Sequence, residues 1–305
     1  MSLLVVGSVA LDSVETPFGK VENALGGSAV FIGMSACYLA APVRLVAVVG
    51  GDFPKSYLEL LEERSIDLDG LKIVPEGKTF RWGGRYHYDL NTRDSLYTDL
   101  NVFEHFDPVI PEQYRKSSYV CLGNIHPRLQ RRVLEQIEKP RLVIGDTMNY
   151  WIQNTADELQ KTLRVMDVLI INDSEARLLT QEPNLVKAAK RIIDLGPKII
   201  IIKKGEHGAL LVTEKTIFSA PAYPLETIYD PTGAGDSFAG GFAGWLAKTD
   251  DLSPENLKRA VIYGSALASF CVERFSVDRL KDLTYLEIKD RYRSFMNLSH
   301  FDEGA

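Results

Sequence analysis

The sequence predicts an α/β protein whose central sheet is mainly parallel and carries helices on both faces. Six short runs are almost wholly apolar and rich in β-branched residues, as in strands that are buried on both sides. They are residues 3–7, 44–49, 119–122, 142–145, 168–171 and 198–202. Amphipathic segments with helical spacing lie between them, at residues 28–40, 54–64, 127–138, 155–165, 173–180 and 185–195. Because strands and helices alternate, right-handed βαβ units are expected.

Two segments interrupt this alternation. Residues 13–24 and 79–101 are rich in aromatic and turn-forming residues with partial alternation, so they predict strands rather than helices. Together they are expected to form a small β-strand lid on the main body, with a pair of separate surface hairpins as the alternative. The sequence contains no internal repeat, low-complexity tract or flexible linker. We therefore expect residues 1–305 to form a single domain with this lid.

The segment after Gly205 predicts three short strands followed by three helices. The strands are expected near residues 209–212, 216–220 and 223–229. The helices are expected to begin at residues 233–236 and to lie near 254–274 and 284–298.

Composition and charge indicate which classes of partner and which cellular compartment to expect. Lys and Arg total 35 against 41 Asp and Glu, a net charge of −6, which argues against a nucleic-acid binder. No apolar run approaches the roughly 18 residues of a membrane helix, so no membrane partner is expected. The opening MSLLVVGSVALD lacks a basic region and predicts a strand rather than a signal peptide. Three widely spaced cysteines without a CxxC pair predict a reducing, cytoplasmic location.

The segment DPTGAGDSFAGGFAGW carries the strongest chemical signal in the sequence. Pro231 fixes its φ and Gly233 permits a positive φ, so a tight turn is expected before a helix. The first N–H groups of that helix have no partner within it, and together with the helix dipole they form an anion site. These N–H groups belong to Gly233, Ala234 and Gly235.

Asp236 lies beside this anion site. A carboxylate there either stabilises the start of the helix or accepts a proton from a substrate hydroxyl as a phosphoryl group arrives. Because a helix N-terminus favours negative charge, we expect Asp236 to be ionised near neutral pH. Taken alone, a glycine-rich turn with an Asp near the helix start is the plainer interpretation.

The full run DPTGAGDSFAGGF resembles the carboxy-terminal signature of the ribokinase-like (PfkB) family of carbohydrate and nucleoside kinases. Further elements of that family follow in the same order over most of the chain, at the ends of predicted strands or in late helices. They are GSVALD ending at Asp12, the diglycine Gly26 and Gly27, GGD at 50–52, NDSE at 172–175, KGEHG at 204–208, and ASFCVE at 268–273. The resemblance implies a ribokinase-like fold.

The resemblance also implies an ATP-dependent kinase that transfers the γ-phosphate to a hydroxyl of a small sugar, sugar acid, polyol or nucleoside. Asp236 is then the general base, and Gly233, Ala234 and Gly235 form the anion hole. The implied substrate-binding residues are Asp12, Gly26, Gly27 and Asn124. The implied nucleotide-binding residues are Asn172, Lys204, Gly205, Gly208 and Ser265. Glu175 is expected to organise Mg²⁺ indirectly, through water.

Several of these residues have a purely structural alternative. Asp12 alone is typical of a solvated turn, and the diglycine of a turn without substrate contact. Asn172 and Glu175 are three residues apart, as in a capping box. Lys203 and Lys204 alternate in direction on a strand, so at most one of them is expected to face a phosphate.

Two positions depart from the family pattern. Phe31 stands where many members have an Asn that binds substrate hydroxyls, which adds apolar area beside Gly27 and argues against plain ribokinase activity. Asn124 follows Gly123 at the place where ribokinases have an acid. Asp146 and Asn149 are candidates for other polar contacts, with a strand-end turn as the alternative.

Signatures of other enzyme classes are absent. GxGxxG after the first strand, GxxxxGK[ST], HExxH and GxSxG do not occur. A nucleoside kinase of adenosine or cytidine type is the alternative to a sugar kinase. A non-catalytic sugar or nucleoside sensor is the alternative from another class, which the intact Asp236 and its glycines disfavour. ATP and Mg²⁺ are the expected cofactors, while a monovalent cation and a homodimer formed through the lid are left open.

Overall fold

The apolar runs form strands, and the amphipathic segments between them form helices. The computed structural model describes residues 1–298 and residue 300. Its strands are β1 (Leu3–Val6), β2 (Ala10–Thr16), β3 (Gly19–Gly26), β4 (Val43–Gly50), β5 (Ile66–Val74), β6 (Phe80–Tyr86), β7 (Arg93–Asp99), β8 (Tyr119–Leu122), β9 (Leu142–Gly145), β10 (Val168–Asn172), β11 (Ile199–Lys203), β12 (Ala209–Val212) and β13 (Ile217–Ala220).

Helices connect most of these strands and close the carboxy-terminal part of the described chain. They are α1 (Ser28–Ala36), α2 (Lys55–Glu63), α3 (Pro127–Leu134), α4 (Asn149–Asn154), α5 (Ala156–Leu163), α6 (Asp173–Thr180), α7 (Leu185–Ile193), α8 (Ala234–Thr249), α9 (Pro254–Cys271), α10 (Asp278–Lys281) and α11 (Tyr285–Leu298). Within the described residues, no helix combines the length and the apolar character that a membrane span needs.

The central sheet has nine strands in the order β13-β12-β11-β10-β9-β8-β1-β4-β5. The seven strands from β11 to β5 in this order pair in parallel. The hairpin of β12 and β13 pairs antiparallel at one edge. The predicted fold class, a mainly parallel sheet with helices on both faces, is therefore confirmed.

Alternate residues of each central strand enter two separate hydrophobic cores. In β1, Leu3 and Val5 join the core beneath α1, α8 and α9. Leu4 and Val6 join the core beneath α3, α5 and α7. This alternation explains why the strands are apolar throughout, since both faces of the sheet are covered.

A second, four-stranded sheet forms the predicted lid, in the order β3-β2-β6-β7. β2 pairs antiparallel with β3 and parallel with β6, and β6 pairs antiparallel with β7. The lid strands cover residues 10–26 and 80–99, slightly different bounds from the predicted 13–24 and 79–101. The two segments lie side by side, so the alternative of separate surface hairpins is wrong.

Three local predictions differ from the structure. The strand expected at 223–229 is irregular, because Pro224 lacks an N–H and the segment lines a cavity instead of pairing with a strand. The edge strand β5 was not anticipated, because its polar residues on the open face break the apolar run. The short helix α4 was also missed.

The topology gathers polar residues at one edge of the central sheet. Asn124, Asp146, Asn172 and Lys203 lie at or just after the carboxyl ends of β8, β9, β10 and β11. Chain order runs outward from β1 in both directions, through β4 on one side and β8 on the other. Open α/β sheets bind ligands beyond their carboxyl ends at such a reversal, so the candidate site is sought at this edge.

Candidate active site

The glycine-rich turn enters α8 at the edge of the central sheet. Gly233 is the N-cap of α8, with φ 76°. A Cβ on Gly233 would lie 2.4 Å from the ring carbons of Phe31, so the glycine rests on the face of that buried ring. Both the positive φ and the close approach exclude other residues at this position. The structure thus places Phe31 beneath the turn, in the hydrophobic core.

The backbone of this turn presents hydrogen-bond donors to the cleft. The Ala234 N–H donates to the Pro231 carbonyl at 3.3 Å. In the part of the chain that the structure describes, the N–H groups of Gly233 and Gly235 have no partner. These donors at the start of a 16-residue helix fit an anion such as a phosphate.

Side-chain contacts hold the turn in place. The Asp230 carboxylate accepts hydrogen bonds from the Thr232 N–H at 2.8 Å and from the Ser276 N–H at 3.1 Å. The Thr232 hydroxyl donates to the Tyr86 hydroxyl on lid strand β6 at 3.2 Å. The turn is therefore tied both to the chain preceding α10 and to the lid.

Asp236 lies in the first turn of α8, partly buried within an acidic cluster. Burial and the nearby charge of Asp146 raise the pKa of Asp236 to about 7, while Lys203 and Arg93 oppose this rise. A pKa of about 7 leaves the Asp236 carboxyl group only partly ionised near neutral pH, less than the helix dipole alone leads one to expect. Desolvation outweighs the helix dipole at this position.

Lys203, at the end of β11, supplies positive charge beside the turn. Its Nζ lies 2.7 Å from where a Cβ on Gly235 would stand, so the ammonium group lies directly against the turn. Burial lowers the pKa of Lys203, but Asp146, Glu175 and Asp236 outweigh that effect and raise it overall. Lys203 lines the cavity beside the turn, whereas the predicted nucleotide-binding Lys204 does not. The neighbouring lysine on the strand is thus the one that the fold brings to the site.

Asp12 lies across the cleft on lid strand β2 and is buried. A Cβ on Gly26 would stand 2.0 Å from the Asp12 Oδ2, so the carboxylate lies directly against the diglycine. Burial raises the pKa of Asp12 to about 7, with Asp230 and Asp236 adding to the rise and the Gly27 backbone N–H opposing it. Asp12 is therefore a cleft residue, and the alternative of a solvated turn is wrong.

A cavity of about 390 Å³ extends from the turn along the same sheet edge, a size typical of small-ligand sites. Its walls combine the turn, the segment 222–228, helix α9 and the loop of the lid hairpin. Four of the five predicted nucleotide-binding residues line it, namely Asn172, Gly205, Gly208 and Ser265. Lid residues Asp89, Leu90 and Asn91 close one side of it.

Asn172 and Glu175 form the capping box that their spacing allows. The Asn172 Oδ1 accepts from the Glu175 N–H at 2.8 Å, and the Glu175 Oε2 accepts from the Asn172 N–H at 2.8 Å. Burial and Asp146 raise the pKa of Glu175 to about 7. Among residues 1–298 and 300, no group of three or more His, Cys, Asp or Glu side chains is placed to hold a metal ion.

Asn124 belongs to an aromatic cluster at the ends of β8 and β9. Its Oδ1 accepts from the Trp151 Nε1 at 2.8 Å, and its amide nitrogen lies 3.0 Å from the Met148 Sδ. Trp151 packs edge-on against His126 and Tyr150, with centroid distances of 5.0 and 4.9 Å. The side chain of Asn124 is thus committed to Trp151 and Met148. Asn149 lies exposed at the start of α4.

Sequence reasoning missed three contributors to the site. They are Lys203, Arg93 of the lid and the lid loop at residues 89–91. The strand alternation that limited the choice to one of two lysines was a usable signal for Lys203. No local pattern marks Arg93, because its role depends on where the lid packs.

Comparison with known proteins matches most of the chain to one family. The sequence profile described as pfkB family carbohydrate kinase matches residues 2–282. A cytidine kinase of Thermococcus kodakarensis is 31% identical over 247 residues, covering 79% of this chain and 87% of that protein.

Two solved structures are similar throughout. The nucleoside kinase of Methanocaldococcus jannaschii has a TM-score of 0.77 at 20% identity, covering 96% of this chain and 98% of that one. An E. coli structure assigned as a ribokinase II, solved with ATP and Mg²⁺, has a TM-score of 0.78 at 17% identity, covering 96% and 99%. At these sequence identities the two structures show that the fold is shared.

Proposed function

The chain belongs to the pfkB family of carbohydrate kinases, and from this premise we propose that it transfers the γ-phosphate of ATP to a hydroxyl of a nucleoside. The observation that carries the proposal is the position of Asp236. Its carboxyl group lies in the first turn of α8, beside unbonded N–H groups and in the same cleft as Asp12. This arrangement combines a proton acceptor, a phosphate site and a hydroxyl-binding carboxylate.

The nucleotide is proposed to occupy the cavity of about 390 Å³ with its phosphates directed to the turn. The free N–H groups of Gly233 and Gly235 and the ammonium of Lys203 then contact phosphate oxygens. Mg²⁺, when bound, would neutralise part of the phosphate charge, and Glu175 would hold it indirectly, through water. Asn172, Gly205, Gly208 and Ser265 form the walls that hold the rest of the nucleotide.

Asp236 is proposed as the general base. Its pKa of about 7 matches the requirement that a base be partly deprotonated, and able to take up a proton, near physiological pH. Asp12 and the backbone of Gly27 orient the acceptor hydroxyls from the opposite wall. The lid excludes water from the space between them.

A nucleoside is favoured over a free sugar by one feature of the lid. Trp82 is paired in register with Asp12, so its indole ring and the Asp12 carboxylate lie on the same lid face. An indole ring at that place adds an aromatic wall beside Asp12, which suits a planar base. The named activity of the cytidine kinase relative supports the same acceptor class. A sugar acceptor is the second candidate, because the family includes carbohydrate kinases.

The decisive experiment measures ADP release with ATP and a panel of nucleosides, sugars and polyols. We expect turnover with at least one nucleoside to exceed turnover with ribose. The Asp236→Asn variant should lose about 10²–10⁴-fold in kcat, the usual effect of removing a general base. Its affinity for ATP should be unchanged or higher, because one negative charge beside the phosphates is gone.

Glu255→Gln is a suitable control, since Glu255 lies in the first turn of α9, away from the cleft. It removes an acidic charge from a helix start and should leave turnover within about twofold. Near-normal turnover of Asp236→Asn would contradict the catalytic role. Acceptor binding without ADP release by the unaltered protein would favour the sensor alternative.

Three further properties are part of the proposal. Residues 1–305 act as a single kinase domain that includes the lid. The protein works in the reducing cytoplasm, which is supported by the free Cys37, Cys121 and Cys271, since burial raises the pKa of each thiol. Dependence on a monovalent cation stays a prediction, to be tested by comparing turnover in potassium and in lithium salts.

A further inference from the structure

The lid sheet has an inner face toward the cleft and an outer face toward solvent. Along β6, Trp82, Gly84 and Tyr86 share one face, and Trp82 pairs in register with Asp12 of β2. Arg93 of β7 pairs directly with Tyr86, so it belongs to the same inner face. Arg85 lies on the outer face, where its Nε is 3.1 Å from the Glu15 Oε1.

Contacts of Arg93 place its guanidinium group over the cleft. Its central carbon lies 5.2 Å from the centroid of the Trp82 ring, and its Nη1 lies 3.4 Å from the Tyr86 hydroxyl. The same Tyr86 hydroxyl accepts from Thr232, the residue before Gly233. One tyrosine therefore links Arg93 to the turn that forms the candidate phosphate site.

The charge of Arg93 acts on the acids of the cleft rather than on a dedicated partner. Among the residues that the structure describes, no carboxylate lies within ion-pair distance of Arg93. Its charge nevertheless lowers the pKa of Asp12, Glu175 and Asp236, partly offsetting the larger upward effect of burial on each. A cation that influences all three acids faces the same cleft as they do.

We propose that Arg93 binds the oxygens of the phosphoryl group in transfer, as a residue delivered to the reaction by the lid. This inference rests on the proposed kinase function. Within the described residues, the guanidinium group donates only to the Tyr86 hydroxyl through Nη1, so Nε and Nη2 are left for two parallel hydrogen bonds to a phosphoryl group. A planar fork of this kind stabilises the charge that spreads over the phosphoryl oxygens during transfer. Trp82 supports the guanidinium through the stacked contact.

The test compares Arg93→Met with Arg85→Met, which removes the same charge from the outer face of the same sheet. Calorimetry measures the affinity for ADP and for AMP-PNP, a non-hydrolysable ATP analogue that carries the γ-phosphate. For Arg93→Met, the preference for AMP-PNP over ADP should fall about tenfold, the loss of a charge-assisted contact. Arg85→Met should keep the preference of the unaltered protein.

Turnover provides the second readout. With an acceptor identified, kcat of Arg93→Met should fall about 10²–10³-fold, as for other lost transition-state donors, and the KM for the acceptor should change little. Arg93→Lys keeps the charge but loses the fork, so it should recover only part of kcat. Loss of packing against Trp82 alone would lower the unfolding temperature without changing the nucleotide preference.

The outcomes separate this inference from the proposed function. If the unaltered protein binds both nucleotides and Arg93→Met keeps the same preference, the role of Arg93 is wrong and the kinase assignment stands. If the unaltered protein binds neither nucleotide, the proposed function fails, and the inference fails with it. A selective fall for Arg93→Met in both the preference and kcat supports the inference.

Discussion

The carboxyl groups of Asp12, Glu175 and Asp236 titrate close to neutral pH, since burial is the main cause that raises each pKa to about 7. Three acids with raised pKa values in one cleft are unusual for a protein that uses them only for stability. Lys203 and Arg93 supply the compensating charge. The cleft is thus balanced so that small changes in pH or ligand charge alter its protonation.

The kinetic consequence of that balance is a pH profile. A general base works only when deprotonated, so kcat/KM should rise as the pH increases through about 7, the pKa of Asp236 in the free enzyme. Initial rates between about pH 5.5 and 9 test this, with ATP and the acceptor both kept below their KM values. In Asp236→Asn the residual rate should lack this rise. A flat profile in the unaltered protein would contradict the assignment of Asp236 as the base.

Lys203 and Lys204 offer a matched pair of substitutions. Lys203→Met removes the cation beside Gly235 and should weaken ATP binding about tenfold or more, because a charged phosphate contact is lost. Lys204→Met removes an adjacent charge outside the cavity and should change ATP affinity less than about threefold. Calorimetric titration with ATP distinguishes them. The reverse order would restore Lys204 as the nucleotide residue.

At the scale of elements, the glycines of α8 set its distance from α1. A Cβ on Gly240 would stand 2.3 Å from the Ile32 carbonyl oxygen, and a Cβ on Gly244 would stand 3.1 Å from Ala36. The helices thus approach backbone to backbone, which explains why a buried helix tolerates residues of low helix propensity. This contact also fixes the direction in which the first turn of α8 points.

Gly240→Ala should therefore destabilise the protein by about 1–3 kcal/mol, the usual cost of overpacking, despite the better helix propensity of alanine. Gly33→Ala in α1 is the control. Its Cβ would meet the Ile66 side chain at 3.4 Å, an ordinary contact, so the change should be neutral or slightly stabilising. Urea unfolding measures both. Equal stability of the two variants would show that the close approach of α1 and α8 carries no cost.

Elements that depend on local pattern were predictable, whereas contacts between elements were not. The helix Asp173–Thr180 and the strands Tyr119–Leu122 and Leu142–Gly145 match the prediction residue for residue, because buried runs and a capping box are local signals. The turn formed by Asp236 and its glycines was also predictable from its local motif. Arg93 was not, because the importance of a lid residue depends on packing between distant segments.

At the scale of the whole molecule, the question is whether two copies form a homodimer. The surface concerned is the outer face of the lid. Leu96 and Tyr97 on β7 are 52% and 39% exposed, and Phe18 between β2 and β3 is 50% exposed. β7 is an edge strand of the lid sheet, and such edges invite pairing with another chain.

If the lid forms a dimer, Leu96→Glu should shift the protein towards the monomer, because a charge would be buried in the contact. Ile217→Glu on β13 is the control, since Ile217 is 54% exposed on an edge strand of the central sheet, outside the lid. Sedimentation velocity over a range of concentrations gives the oligomeric state. If the unaltered protein sediments as a monomer at all concentrations, the lid dimer is excluded.

The position of the lid hairpin has a consequence for the order of events in each turnover. The strands of the lid carry Asp12 and Trp82 at the proposed acceptor place, while its loop borders the cavity proposed for the nucleotide, with the Asn91 Oδ1 only 3.0 Å from a Cβ built on Gly205. Because one sheet covers both places, we expect the phosphorylated acceptor and ADP to leave through the same opening of the lid.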